Sequence, residues 1–341
     1  IPVMGKAALI AVLVLIGYQF VRSTSSTMFF FEVANDQLFA IESGGSYGME
    51  VAVYSTNDVG ESWHRFESPA KTLFLGGNGV DLLALTSNNQ VWRRSRDTTS
   101  WTLVASLPGT HHYSILVDRR GRFLVSGINE LTWHADDGRL LRRISAKSSP
   151  DDFLLFGNAF FVDDTEEKVV VEVNPFSVYL LNLRDGSVTP WDDGLPASTT
   201  GGGGLGRLRR FGKGFLFGGL DGVYASNGVH EPWQRLIEFR QTGDLDDEFC
   251  RDLVTHDVWL QNWLLATNPG IRLMQGDQVV HTIFVDSNNN QPTNNDHYLI
   301  LQIVPFHDYY FVSFARLKNR AIGVRMNDDL ATWKTIRLAP Q

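Results

Sequence analysis

Thr56-Asn57-Asp58-Val59-Gly60-Glu61-Ser62-Trp63 is the stretch from which the fold can be read. Each residue type in it suits a tight hairpin. The Asp58 carboxylate can accept hydrogen bonds from backbone N–H groups a few residues on, and Gly60 can adopt the positive φ that a sharp reversal needs. Trp63 then opens the return strand with a large apolar surface to bury. The octamer therefore predicts a strand, a stapled turn and a second strand whose first residue enters a core.

The octamer fits the Asp-box pattern, Ser/Thr-x-Asp-x-Gly-x-Thr/Ser-Trp, at Thr56, Asp58, Gly60, Ser62 and Trp63, and worn copies of it recur. Ser95-Arg96-Asp97-Thr98-Thr99-Ser100-Trp101 is shortened by one residue. Asp136-Asp137-Gly138-Arg139-Leu140-Leu141 keeps Asp136 and Gly138 but has Leu141 in the Trp place. Ser226 to Trp233 keeps the Ser and Trp spacing without the Asp and Gly, and Asp328 to Trp333 has Leu330 where Gly belongs. Between the copies an apolar strand, a polar turn, a second apolar strand and a Val-Tyr or Val-Trp strand repeat, as in residues 79–104 and 207–236. This template divides the chain into about seven units, 27–68, 72–107, 113–145, 151–192, 205–236, 253–285 and 297–338. Each has the length of a four-stranded propeller blade. The expected fold is all-β, a β-propeller of about seven four-stranded blades, with six or eight left open. Only 237–252, around Asp244 to Arg251, suggests a short helix.

Composition agrees: 31 Gly and 12% aromatic residues in 341 suit many short strands and tight turns. The single Cys250 excludes an intrachain disulfide framework and a multi-Cys zinc site. A formal net charge of −8 argues against nucleic acid as a partner. The charge is uneven, however. Arg93, Arg94, Arg96, Arg119, Arg120, Arg122, Arg139, Arg142 and Arg143 gather in the first half, with Arg207, Arg209 and Arg210 later, and acidic runs lie between and beyond them. Such a distribution suits either solvated turns or a dipolar docking surface.

Residues 7–21 carry no charge, and with the small or apolar residues before Lys6 they give about 20 residues, enough to cross a bilayer. No small-x-small cleavage site follows at Arg22-Ser23-Thr24-Ser25-Ser26, so an uncleaved anchor is expected in preference to a signal peptide. The chain is accordingly divided into a transmembrane anchor, 1–22, and a propeller domain, 23–341. No Asn-x-Ser/Thr sequon occurs, which favours a bacterial envelope protein. The expected location is the bacterial inner membrane, single-pass, with the propeller in the periplasm.

Several motifs tempt and are set aside. Gly201, Gly203 and Gly206 fit G-x-G-x-x-G, but a strand and turn follow instead of the helix a dinucleotide site needs. Asp286 to Gln291 resembles half a calcium loop, yet Gln291 replaces the Gly and His297 the bidentate Glu. Asp163-Asp164 and Asp192-Asp193 read as solvated turns. No cofactor or metal is expected. Asp boxes also occur in sialidases, which need an arginine triad, a Tyr–Glu pair and an Arg-Ile-Pro segment. No Arg-Ile-Pro occurs, Tyr309-Tyr310 has no Glu nearby in sequence, and adjacent arginines on a strand point to opposite faces. Asp58 and Trp63 are therefore assigned to stability, not catalysis. Trp92, Trp259 and Trp263 are the stacking platforms a glycan-binding alternative would use.

With its worn Asp boxes, anchor and arginine clusters, the chain resembles the Ycf48-like (photosystem II assembly factor-like) propellers within the BNR/Asp-box class. The resemblance covers residues 27–338 and implies a non-catalytic protein that docks on an integral membrane complex. For non-photosynthetic bacteria it implies an accessory subunit of a resistance-nodulation-division (MMPL) type transporter. The bilayer would be engaged through 7–21, and acidic partner surface by Arg93, Arg94, Arg96, Arg119, Arg120, Arg122, Arg207, Arg209 and Arg210. A sialidase-like or glycan-binding propeller and an assembly factor that leaves the mature complex are the alternatives.

Overall fold

A computed structural model describes residues 28–43, 52–109, 112–127, 129–145, 155–162, 165–174, 177–196, 207–219, 221–239, 250, 252–257, 262–267, 270–283, 298–316, 319–327 and 333–336. They form twenty-eight strands in seven four-stranded antiparallel sheets, each sheet made of four consecutive strands. Blade 1 comprises β1 (Met28–Ala34), β2 (Gln37–Ser43), β3 (Ala52–Thr56) and β4 (His64–Arg65). Blade 2 has β5 (Thr72–Gly77), β6 (Asp81–Thr86), β7 (Gln90–Ser95) and β8 (Thr102–Ser106); blade 3 has β9 (His112–Val117), β10 (Phe123–Gly127), β11 (Leu131–His134) and β12 (Leu140–Ile144). Blade 4 has β13 (Leu155–Phe161), β14 (Lys168–Asn174), β15 (Ser177–Asn182) and β16 (Val188–Pro190); blade 5 has β17 (Arg207–Phe211), β18 (Gly214–Gly218), β19 (Gly222–Ser226) and β20 (Gln234–Glu238). Blade 6 has β21 (Asp252–Asp257), β22 (Asn262–Ala266), β23 (Ile271–Gln275) and β24 (Gln278–Ile283); blade 7 has β25 (Tyr298–Phe306), β26 (Tyr309–Arg316), β27 (Asn319–Asn327) and β28 (Trp333–Ile336).

The expected blade count and strand count per blade both hold, and each blade falls within a few residues of the repeat unit that forecast it. The helix expected within 237–252 is corrected at its ends. β20 runs through Glu238 and β21 begins at Asp252, while 240–249 lie outside the described residues. The anchor at 7–21, and with it the 1–22 division, also lies outside them. No described helix is long and apolar enough to cross a membrane.

The first strands stand side by side around the axis: β1 touches β5, β5 touches β9, and so on to β25, which returns to β1. Because side chains alternate along a strand, each blade offers one face to the blade before it and one to the blade after. Phe31 of β1 packs towards blade 7 and Ala34 towards blade 2. The result is seven separate apolar clusters, one at each blade-to-blade contact, in place of a single central core. Turns suit the design. Asn35 and Asp36 both hold positive φ, 53° and 56°, the backbone of a two-residue I′ hairpin joining β1 to β2.

Ring closure needs more than apolar contact. Among the described residues blade 7 shares no strand with blade 1, and side chains make the bonds that cross the seam. Phe31 and Trp63 meet Phe306 and Phe311 across it. Gln302 of β25 grips the free edge of β1, accepting from the Phe31 N–H and donating to the Phe31 carbonyl, both at 2.9 Å. Arg325 of β27 donates to the Val59 carbonyl at 2.9 Å and pairs with Glu61. Replacing Gln302→Leu leaves a backbone donor and acceptor of Phe31 unpaired. Urea unfolding should show a loss of about 1–3 kcal/mol; a change within error would mean that the seam does not rely on this amide.

Candidate functional site

The first box is built as its residue types require. Thr56, at the end of β3, accepts from the Gly60 N–H at 2.8 Å and donates to Asp58 Oδ1 at 2.8 Å. Asp58 in turn accepts from the Ser62 N–H at 2.8 Å and the Ser62 hydroxyl at 2.5 Å. These bonds, from Ser62 first and then Thr56, hold the Asp58 carboxyl well below the usual carboxylate range. His64 Nε2 lies 3.4 Å from Ser62 Oγ, which superficially assembles Ser, His and Asp. The hydroxyl proton is directed at Asp58 and not at the imidazole, so the trio is a turn staple and not an activated nucleophile.

The worn boxes keep one physical task, which is to lean on the preceding blade. Trp63 packs on Phe311 of blade 7, ring centroids 6.2 Å apart. Trp101 of blade 2 donates to the Glu67 carbonyl behind blade 1 at 2.8 Å, and Trp233 of blade 5 to the Trp191 carbonyl behind blade 4 at 2.8 Å. In blade 3, where Leu141 replaces the Trp and is exposed, Gly138 takes over: a Cβ there would stand 1.8 Å from the Val104 carbonyl oxygen of blade 2. Asp97 and Asp136 are exposed. Asp328 lies outside the described residues, as does the side chain of Trp333, whose backbone starts β28.

The nine arginines expected to contact a partner separate into two sets. Arg93, Arg94, Arg96, Arg119, Arg120 and Arg122 do share one face, the hairpin-turn side of blades 2 and 3. Several are engaged within the fold. Arg93 donates to the Gly121 carbonyl at 2.8 Å, Arg94 to the Thr98 carbonyl at 2.8 Å, and Arg122 binds Asp118 while its guanidinium lies 5.0 Å from the Trp133 ring. Arg119 keeps a 72% exposed side chain despite a 3.7 Å approach to Glu166, and Arg96 and Arg120 are exposed. Their backbone is pinned: Asp118 Oδ1 accepts from the Arg120 and Arg122 N–H groups, and the Glu166 carboxylate from that of Arg119. Arg207, Arg209 and Arg210 lie apart from these on β17, an inner strand.

Around the inner strands lie polar residues, Asp252, Glu172, Gln302 and Glu32, whose roles sequence reading missed. Each inner strand has one ladder edge with no strand beside it, and at β1, β17 and β25 a side chain of the preceding blade serves it. Asp252 is fully buried; one oxygen takes the Arg209 guanidinium of blade 5 at 2.7 Å and the other the Ile303 N–H of blade 7 at 2.8 Å. Glu172 of blade 4 accepts from the Leu208 N–H of blade 5 at 3.4 Å, as Gln302 does for Phe31. The available signal was a lone carboxylate inside an apolar run, as in Val169-Val170-Val171-Glu172-Val173. Glu32 of β1 is also lodged here. Desolvation pushes its carboxyl up to about 7, because the charged form loses water, and the Arg209 charge only partly offsets that.

Of the platforms of the glycan alternative, the two that are described are packed into the fold. Trp263 is 1% exposed and donates to the Gly276 carbonyl, Trp92 is half-buried against blade 1, and Trp259 lies outside the described residues. So do Gly201 to Gly206 and Asp286 to Gln291. Cys250 is buried, and burial pushes its thiol up, away from thiolate chemistry.

No protein-family model matches the chain, and no curated protein matches it. Among solved structures with a similar fold is the crystal structure of Saccharomyces cerevisiae Sqt1, a WD40 propeller. It superposes with a TM-score of 0.62 at 11% identity, over 92% of this chain and 86% of that one. At that identity the likeness speaks for the propeller fold alone.

Two outcomes follow from these contacts. Gly60 holds φ +84°, and an added Cβ would stand 2.7 Å from Phe311 Cε1. Gly60→Ala should therefore destabilise by at least about 1 kcal/mol in thermal unfolding, and a neutral result would refute the tight seat. For Glu32 the folded carboxyl is raised above its ordinary 4.5, so the folded state favours the neutral form. Its contribution is full below pH 4.5 and fades as pH rises towards 7. Glu32→Gln should match the native chain near pH 4.5 and exceed it above pH 7, by at most about 3 kcal/mol. Equal differences at both pH values would contradict this.

Proposed function

We propose that the protein is a non-catalytic interaction scaffold that docks on an integral membrane complex through the hairpin-turn face of blades 2 and 3. The reading rests on one observation above the others, the manner in which Arg119 and Arg120 are displayed. Their backbone N–H groups are held by Glu166 and Asp118, while their side chains project. Fixing the backbone lowers the entropy lost when those side chains meet a partner. Arg96 lies on the neighbouring turn, so the two blades offer cations from a rigid base. Arginine is the suited residue, since its planar fork matches carboxylates bidentately.

In this reading residues 7–21 tether the propeller to the bacterial inner membrane on its periplasmic side. The tether raises the effective concentration of a neighbouring membrane protein. The Asp-box pattern at Thr56 to Trp63 supports placement with the Ycf48-like and BNR propellers, and that placement favours an accessory role to a resistance-nodulation-division (MMPL) type transporter. Arg209, bound to the buried Asp252, is assigned to the fold and removed from the docking set.

Co-purification of the full chain from the native membrane fraction tests the proposal, with cross-linking to name the partner. The variant Arg96→Glu/Arg119→Glu/Arg120→Glu should lower recovery of the partner about tenfold or more, and the native interaction should weaken with added salt. An unaltered thermal midpoint would show that the fold survives. A native chain that emerges without partner from mild detergent, or undiminished recovery with the variant, would overturn the reading.

A further inference from the structure

Blade 3 buries a histidine that neither the core nor the docking face requires. His134 ends β11 and is 4% exposed, and its ring stacks on Phe123 with centroids 4.9 Å apart and planes within 3°. Nδ1 lies 3.0 Å from the Gly138 carbonyl oxygen. A carbonyl only accepts, so the neutral ring carries its proton on Nδ1 and leaves a bare lone pair on Nε2. Nε2 is buried and has no hydrogen-bond partner among the described residues. A second proton would therefore be placed on an atom with nothing to receive it.

The bond to Gly138 matters because of what that turn touches. Gly138 holds φ +86° and sits backbone against backbone on Val104, in the outer strand of blade 2. His134 ties the turn down from inside, and the Gly138 N–H to Ala135 and Ala135 N–H to Arg139 bonds complete it. Alternation turns His134 to the blade 2 side, where Phe123 packs with Leu83, Leu85 and Val91.

Among the described residues, the charged groups on that side are Asp81 and Arg93 from blade 2, Arg143 of β12, and Asp136, Asp137 and Arg139 of the turn; β8 and β10 carry none. Each is otherwise engaged. Asp81 holds Arg93 and Ser95, Arg143 meets Glu130, Arg139 meets Asp137, and Asp136 accepts from the Asp137 N–H. None is hydrogen-bonded to His134. Burial accordingly holds the imidazole below its ordinary range, outweighing the pull of the Gly138 carbonyl.

We propose that His134 is an acid-released latch. On protonation its ring leaves the pocket against Phe123, the bond to Gly138 breaks, and the turn 135–139 lifts from blade 2. The seam between blades 2 and 3 then loosens on the face that carries Arg96 and Arg120. This device goes beyond the docking reading and stands without it. Its sign is fixed: the neutral ring is the folded form, so the latch is fully engaged above the ordinary histidine value of 6.5 and is lost as pH falls below it.

Amide hydrogen exchange of the full chain at about pH 7.5 and about pH 5.5, corrected for intrinsic rates, tests it. The amides of 135–139 should lose protection about tenfold or more at the lower pH, while the corresponding turn of blade 5, 227–233, does not. His134→Gln, whose amide can donate to the Gly138 oxygen without titrating, should abolish the difference. Equal protection of the native turn at both pH values, or an equal loss in H134Q, would overturn the latch. If H134Q does not fold, the ring titration of His134 in the native chain decides. Protonation that coincides with loss of turn protection supports the proposal, and a turn that stays protected around a charged ring sinks it.

Discussion

The constraint on which the rest depends is that the ring must close without exchanging a strand. Among the described residues each blade is a complete four-stranded sheet, and no ladder links β25 to β1. Gln302 supplies the missing edge bonds with one side-chain amide, and Phe31, Trp63, Phe306 and Phe311 supply the apolar seal. An amide suits this place because it donates and accepts at once, and so satisfies both groups of one backbone residue. A carboxylate in its place would only accept. At two other junctions accepting is what is needed: Asp252 takes the Ile303 N–H and Glu172 the Leu208 N–H of the next inner strand.

What the sequence made legible was whatever is local. The box at Thr56 to Trp63 binds itself within eight residues, so its chemistry shows in the order of side chains, and its worn copies mark the period of the blades. What could not be read depends on neighbours far along the chain. Gln302 acquires its role only when residue 31 stands beside it. Arg209 resembled its surface counterparts and instead answers a carboxylate of the next blade. Trp263 had the composition of a binding platform and the position of a core residue. The stretch 237–252 looked helical from its charged run, but strand pairing with blade partners governs both of its ends.

The candidate site shows how the same residue type divides its labour. On blades 2 and 3 some arginines knit turns together through carbonyl oxygens and ring faces, and others are carried outward by the turns so knitted. Arg122 and Arg120 share one acceptor, Asp118, through their backbone, yet only one of the two side chains is turned inward. Charge counting along the sequence cannot separate these roles, because both sets have the same neighbours in the chain. Burial and hydrogen bonding separate them at once.

Contiguity of the blades has a consequence for how such a ring changes over evolutionary time. A blade here is one uninterrupted stretch of chain, and every interface but one joins a blade to its successor in sequence. Gene duplication or deletion could therefore alter the number of blades in whole units without re-pairing any strand. Only the residues that meet at the last seam would have to be reinvented. Gln302, Arg325 and Phe311 are the residues that such a change of blade number would separate from their present partners.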